Sequence, residues 1–158
     1  MSKRPHWNEE DIQALEHVGS YAEMFALAHS ILKRIPGPVA QVCGPISTGG
    51  KNSIPENLAN LKKAIDHLTE KGHNIFDQTP FEGPIVRMKI LPHEDQYPYA
   101  LLDDFYLPIF KTGVVKKLFF LPGWEKSTGA KWEYEQGKQL NIEIEHLPTD
   151  WENASSLQ

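Results

Sequence analysis

Two glycine-bearing segments of the sequence contain the residue types that bind anions and carry out acid chemistry. The first runs from Gly44 to Asn52, and its three glycines leave backbone N–H groups open to close approach by an anion. The second runs from Leu121 to Glu133. In it Ser127 or Thr128 suits a helix N-cap, and Gly129 leaves the amides of the first turn open, as in a phosphate site. The first segment does not have the spacing of a dinucleotide fingerprint or a Walker loop, and an ordinary connection fits it equally well.

Glu133 is the residue of the second segment best suited to catalysis. On a helix it lies on or beside a row of small residues, Ala130 and Gly137, that would press against a sheet. A carboxylate there is costly unless it is paired or used, and near the helix N-terminus we expect its ionised form to be favoured. Glu133 is therefore a candidate nucleophile. The alternative is a solvated first-turn glutamate, which we expect Glu135 to be.

Capping residues and hydrophobic spacing predict the elements that position these segments. Asn8 and Ser20 each begin an N-terminal helix, and the second helix ends at Pro36-Gly37-Pro38. A strand from Val39 to Cys43, a helix that begins at Ser53 and a strand from His73 to Phe76 follow. This order is a βαβ unit, which implies parallel strands with a right-handed crossover.

The second half of the chain begins with a region that five prolines interrupt, residues 77–112, where we expect mostly loop and a helix from Tyr99 to Phe110 that forms a lid. Val114-Val115, a buried strand from Leu118 to Leu121, a helix over 127–140 and a last strand over 142–145 come next. The predicted fold class is α/β, a single parallel sheet of about five strands with helices on both faces, flavodoxin-like or Rossmann-like. We expect an N-terminal helical extension over residues 1–37, an α/β domain over 38–148 and a polar tail over 149–158.

Composition excludes several classes of function. The 158 residues carry a net charge of -5 without a basic cluster, which argues against a nucleic acid polymer as partner. We expect no membrane span, and a cytoplasmic location, because no apolar run is long enough and the N-terminus lacks the apolar core of a secretory signal. The one cysteine, Cys43, excludes a disulfide framework, and the seven histidines show no ligand spacing. We therefore expect no metal and no cofactor.

The stretch VCGPISTGG over residues 42–50, and the later Ser127 to Glu133 with Gly137 behind it, resemble the nucleoside 2-deoxyribosyltransferase superfamily. The first stretch is most similar to its 2'-deoxynucleoside 5'-monophosphate N-glycosidase branch. The second, with Leu121 to Trp124 before it, is also similar to uncharacterised bacterial and phage members. The resemblance covers about residues 39–146 and leaves the N-terminal helices unexplained.

The resemblance implies a role for each matching residue. Glu133 matches the carboxylate that attacks the anomeric carbon and forms a covalent glycosyl intermediate, and Ser127 and Gly129 match a turn that binds a monophosphate. Asp104, or else Asp103, corresponds to the second catalytic acid. The loop that wraps the sugar and phosphate corresponds to Gly44, Pro45, Ile46, Ser47, Gly49 and Gly50.

The sequence departs from the family pattern before the penultimate strand. Lys116 and Lys117 stand where relatives carry an aspartate, which leaves open the local ion pairing and the activity. Aromatic residues near the predicted site could sandwich a nucleobase or simply belong to the core: Trp124, Trp132, Phe105 and Tyr106.

These residues lead to the expectation of an N-glycosidase that hydrolyses a (deoxy)nucleoside 5'-monophosphate to free base and sugar phosphate. The expected mechanism is that of retaining glycosidases, in which one carboxylate attacks the sugar and a second acid helps the leaving group depart. Phosphate binding would orient the sugar over Glu133. Three alternatives remain. The first two are base exchange between deoxyribonucleosides and a catalytically silent nucleotide-binding module. The third is the phosphoribohydrolase family, whose proline-glycine-glycine motif Pro122-Gly123 resembles, although Trp124 stands in place of the second glycine. The resemblance also implies a homodimer, because relatives complete each pocket with a neighbouring subunit.

Overall fold

The sheet of this protein is parallel, as the sequence predicts. The structure, a computed structural model, describes residues 6–46, 53–89 and 99–152. Within these residues four parallel strands pair in the order β2-β1-β3-β4. Their bounds are β1 Val39–Cys43, β2 Asn74–Ile75, β3 Val115–Phe120 and β4 Glu143–His146. The count is four instead of about five because residues 115–120 form one continuous strand.

Helices cover both faces of the sheet, which confirms the predicted α/β class. They are α1 Glu9–Leu15, α2 Tyr21–Arg34, α3 Ile54–Glu70, α4 Glu82–Lys89, α5 Tyr99–Leu101, α6 Leu107–Lys111 and α7 Thr128–Gln139. On one face α3 packs against the sheet through Leu61, Ile65 and Leu68. The other face carries α2, α7 and the helical run between residues 99 and 111. Each face thus has its own apolar core.

The N-terminal helices begin at the predicted caps. The Asn8 side chain accepts from the backbone N–H of Asp11, and the Ser20 side chain accepts from that of Glu23. The apolar side of α2 lies in the same core as the sheet, with Met24, Ala28, Ile31 and Leu32 fully buried. Helix α2 therefore packs on the same apolar core as the sheet.

The proline-rich middle region is more helical than the sequence predicts. Helix α4 is additional, and it tolerates Pro84 because the first turn of a helix does not use that N–H group. The predicted helix from Tyr99 to Phe110 is present as α5, a π-helix over Leu102–Tyr106, and α6. The prediction that it forms a lid is wrong, because Leu102, Phe105 and Ile109 are buried in the core beside α2.

Helix α7 lies close against the sheet because it carries small residues on its inner side. Ala130, Glu133 and Gly137 are its buried residues, as the sequence spacing predicts. A Cβ atom at Gly137 would lie 2.9 Å from Cδ1 of Leu118 on β3. The absence of a side chain at this position therefore sets how near the helix, and with it Glu133, comes to the strands.

Candidate active site

The two predicted loop segments meet at the carboxyl edge of the sheet. Strand β1 lies between β2 and β3, and the chain goes from β1 to β2 on one side and later returns to β3 on the other. The connections that leave β1 and β3 therefore run in opposite directions along the sheet. Such a topological switch point is where open parallel sheets bind ligands. The backbone N–H of Leu121 donates to the carbonyl of Cys43 over 2.9 Å. A Cβ atom at Gly44 would lie 2.7 Å from Cδ1 of Leu121, so only glycine allows this approach.

Glu133 points from α7 into the protein towards β1. It is only 7% exposed, and Nε2 of Gln41 donates to its Oε2 over 3.3 Å. The Cys43 thiol also donates a hydrogen bond to the carboxylate. The solvated alternative for Glu133 is therefore wrong, whereas Glu135 on the same helix is exposed, as expected.

Burial controls the charge of this carboxyl group. Desolvation raises the pKa of Glu133 to about 8, and the hydrogen bond from the Cys43 thiol opposes this rise. The expectation that the helix N-terminus favours the ionised form is wrong, because the desolvation cost outweighs the helix dipole at this depth. Burial first, and then the negative charge of Glu133, raise the pKa of Cys43 well above its ordinary value, so the thiol stays protonated.

Ser127 caps the helix that carries Glu133. Its Oγ accepts from the backbone N–H of Ala130 over 3.1 Å, and the side chain is buried. The hydroxyl therefore serves the helix end itself. Gly129 is half-buried in the first turn, one turn before Glu133. The predicted phosphate turn and the predicted nucleophile thus belong to one helix end.

The loop after β1 is described only at its start. Pro45 is buried, and the carbonyl of Ile46 accepts from Nδ2 of Asn57 on α3 over 2.8 Å, which fixes the direction in which the loop leaves the sheet. The other predicted members of this loop, Ser47, Gly49 and Gly50, lie outside the described residues.

Asp103 and Asp104 are not brought together with Glu133. Both are exposed on the π-helix, where they line a groove of about 720 Å³ at the start of α2. Burial, and then the negative charge of Asp104, raise the pKa of Tyr21 in that groove. Glu133 is not among the residues that line it. The placement of these two carboxylates gives no support to a role as second acid beside Glu133.

The predicted aromatic residues divide between core and site edge. Phe105 and Tyr106 are buried and pack edge to face, and Trp132 stacks on Phe110 with ring centroids 6.1 Å apart. Trp124 follows β3 and is half-buried. It stacks on Tyr134 with centroids 4.6 Å apart and also packs on Phe120 and His146, so no base fits between these rings.

Of the two adjacent lysines of β3, Lys117 pairs with glutamates of the neighbouring strand. Nζ of Lys117 lies 2.6 Å from Oε1 of Glu145 and 3.4 Å from Oε2 of Glu143 on β4, whereas Lys116 is exposed. Ion pairing is therefore present at this place, with the basic member on β3.

Three polar residues that the sequence analysis does not select also lie near the carboxyl edge. Gln41 interrupts the apolar run VAQVC, and that interruption is the signal by which it could be found. Gln78 follows β2 and donates from Nε2 to the carbonyl of Val42 over 2.8 Å. Asp77 is fully buried, and its carboxylate accepts from Nζ of Lys62 over 3.1 Å. Gln78 thus holds the chain after β2 beside β1, and Asp77 ties it to α3.

This arrangement places a buried carboxyl group, an amide and a thiol together below the point where the chain leaves β1 and β3. Within the described residues, no three His, Cys, Asp or Glu side chains are grouped so that they could hold a metal ion, and no helix is long and apolar enough to cross a membrane. The chemistry available is that of one carboxyl group that gains or loses a proton in a largely dry setting. In comparisons with family models, curated proteins and solved structures, nothing matches this chain.

Proposed function

We propose that this protein is an N-glycosidase that hydrolyses a (deoxy)nucleoside 5'-monophosphate to free base and sugar phosphate. The observation that carries the proposal is the buried Glu133 carboxyl, directed at the end of β1 from the second turn of α7 and contacted by Gln41 and Cys43. A carboxyl group so buried, at the switch point of a parallel sheet, is typical of a group that does chemistry. The first turn of α7 at Gly129, which Ser127 caps, is where the phosphate would bind.

In the proposed reaction the ionised Glu133 attacks the anomeric carbon. The C–N bond breaks, its electron pair leaves with the base, and a carbon–oxygen bond to Glu133 forms. Water then attacks the same carbon and releases a proton to solvent, the carbon–oxygen bond to Glu133 breaks, the sugar phosphate leaves, and the carboxylate is regenerated. Asp103 and Asp104 lie on another surface, so in this scheme the departing base takes its proton from water.

The pH dependence of base release tests this role. The pKa of Glu133 is about 8, so the ionised fraction of the free protein increases as pH rises from about 6 to 8. We expect kcat/KM for base release to rise over this interval and to level off above it. A rate that falls over the same interval would instead indicate that neutral Glu133 acts as an acid.

The direct test is incubation with a panel of ribo- and deoxyribonucleoside monophosphates, with released base measured by chromatography. Glu133→Gln keeps the shape of the side chain and removes its ionisation, so we expect base release to fall at least a hundredfold. Glu135→Gln, on the exposed side of the same helix, is the matched control and should keep the parental rate. Equal release by parent and Glu133→Gln would overturn the proposal. A second free base added to the assay separates base exchange from hydrolysis.

A nucleotide-binding module without catalysis is the second candidate. It is favoured by the raised pKa of Glu133, which leaves the carboxyl neutral near pH 7, and by the position of Asp103 and Asp104 outside the site. Saturable binding of a monophosphate by calorimetry, with no base released at any pH, would select this candidate.

A further inference from the structure

Gln41 is a buried amide in the middle of a strand that is otherwise apolar. All five residues of β1 are buried, and Gln41 itself is fully inaccessible. Its Nε2 donates to Oε2 of Glu133 over 3.3 Å, while its Oε1 has no hydrogen-bond partner among the described residues. A buried polar atom without a partner is costly, so an apolar residue would serve the strand better. Packing alone therefore does not explain a glutamine at this position.

The two ends of the amide match the two charge states of a carboxyl group. An ionised carboxylate only accepts hydrogen bonds, so it requires the Nε2 end. A neutral carboxyl has an O–H donor, which requires an acceptor such as Oε1. A half-turn about the last side-chain bond exchanges the two ends with almost no change of shape. Gln41 can thus satisfy Glu133 in either state without moving the backbone.

We propose that Gln41 is a positioning residue for Glu133, whose amide turns by a half-turn so that Oε1 accepts the proton of the neutral carboxyl and Nε2 donates to the ionised one. Its importance for catalysis rests on the proposed function, but the coupling between the two side chains does not. In the reaction above, the amide holds the carboxylate in place before attack and after its release. The oxygen that has no partner beside an ionised Glu133 is the one used when Glu133 is neutral.

The other titratable groups on the elements packed around Glu133 are neutral, paired elsewhere or exposed, so Gln41 is the principal partner of its carboxyl group. On β1 the Cys43 thiol also faces Glu133, and it remains a neutral donor. On β3 Lys117 is paired with glutamates of β4, and His146 of β4 packs on Trp124. On α6 and α7 the remaining charged groups are exposed: Lys111, Lys131, Glu135 and Lys138.

Replacing the amide should make Glu133 harder to ionise. Hydrogen bonds to charged groups are stronger than those between neutral groups, so Gln41→Leu removes more stabilisation from the ionised form than from the neutral one. We expect the midpoint of the Glu133 titration to move up by about one pH unit. Gln78→Leu is the matched control: it removes another buried amide with an unpartnered Oε1, but one that donates to the carbonyl of Val42. It should leave the midpoint unchanged.

The experiment is an NMR titration of the full chain without substrate, with 13C at the glutamate carboxyls and 15N at the glutamine amides. We expect the Glu133 carboxyl and the Gln41 amide resonances to shift together, with one midpoint near pH 8 in the parent, and the midpoint to rise in Gln41→Leu but not in Gln78→Leu. Gln41 resonances that do not move as Glu133 titrates in the parent overturn the proposal, even if the variant fails to fold. An unchanged midpoint in folded Gln41→Leu does so as well. Coupled titration together with no base release overturns only the glycosidase function.

Discussion

At the scale of single residues, the environment of Glu133 matters more than its place in the sequence. Two residues of the same type, Glu133 and Glu135, lie on one short helix. One faces the sheet and is buried, and the other faces water. Burial makes the first a weak acid that a catalytic site can use.

The raised pKa of Glu133 predicts that folding stability falls as pH rises. The unfolded chain loses this proton near pH 4.5, whereas the folded protein keeps it until about pH 8. Because the folded state binds more protons between these values, the free energy of unfolding should decrease across this window and level off above it. One pKa unit corresponds to about 1.4 kcal/mol, so the upper bound is several kcal/mol.

Urea unfolding at a series of pH values measures this effect. Glu133→Gln cannot ionise, so it should lose this decrease and be more stable than the parent at pH 8, while Glu135→Gln should follow the parent. Parallel pH profiles for the parent and Glu133→Gln would show that the carboxyl titrates normally.

The ion pair of Asp77 predicts a large local effect on stability. Its carboxylate accepts from Nζ of Lys62 and, through Oδ1, from both the backbone N–H and the hydroxyl of Thr79. Asp77→Ala removes all three bonds, and we expect the free energy of unfolding to fall by roughly 2–4 kcal/mol. The loss is smaller than for a fully buried pair because Lys62 is partly exposed and keeps its pair with Asp66.

The matched control for this pair is on the same helix. Lys63 pairs with Glu152, but the two side chains are 62% and 47% exposed, so Lys63→Ala should change stability by less than about 0.5 kcal/mol. Urea unfolding at pH 7 compares the two variants. Similar losses for both would contradict a structural role for Asp77.

At the scale of elements, the candidate site depends on how closely α7 packs against β3. The helix reaches this distance because Gly137 has no side chain facing Leu118, and the loops after β1 and β3 meet because Gly44 has none facing Leu121. Both contacts involve elements that are distant in sequence. They set the position of Glu133 relative to β1.

Gly137→Ala should therefore destabilise the protein although alanine favours helices. The added Cβ would lie 2.9 Å from Cδ1 of the fully buried Leu118, and overpacking of this kind costs about 1–3 kcal/mol, more than the gain of about 1 kcal/mol in helix propensity. Gly83→Ala on α4 is the control, because its Cβ meets nothing within 4 Å; it should not destabilise. Thermal unfolding checks both, and a more stable Gly137→Ala would refute the tight packing.

At the scale of the whole molecule, the N-terminal helices complete the fold. The buried side of α2 shares a core with β1, β3 and the helical run between residues 99 and 111. Without α2, part of the apolar core on this face of the sheet would be exposed to water. The apolar core therefore includes residues that precede β1 as well as those that follow it.

Removal of residues 1–37 tests this arrangement. The shortened chain loses four fully buried side chains, Met24, Ala28, Ile31 and Leu32, and we expect it to lack a cooperative unfolding transition. Circular dichroism during urea unfolding is the measurement. In the full chain, Ile31→Ala should cost about 2–5 kcal/mol, and exposed Ser30→Ala should have almost no effect. Cooperative unfolding of the shortened chain would instead support an independent extension.

Local interactions explain what could be predicted from the sequence. Helix starts at Asn8, Ser20, Ser53 and Ser127 follow from side chains that accept from the backbone N–H three residues further on, and the structure has a cap at each of them. The parallel order of strands follows from the βαβ pattern. Helix α4 does not follow from the sequence pattern, because prolines usually interrupt helices, whereas Pro84 lies in the first turn, where a proline is tolerated.

The amino-acid sequence by itself determined the helix ends, the α/β class and the buried row on α7 that contains Glu133. Only the tertiary structure decided that Gln41, 92 positions away, is its hydrogen-bond partner, that its proton is held to about pH 8, and that Asp104 faces a different groove. The physical reason is that caps and periodicity depend on neighbours along the chain, whereas desolvation and side-chain pairing depend on which distant surfaces pack together.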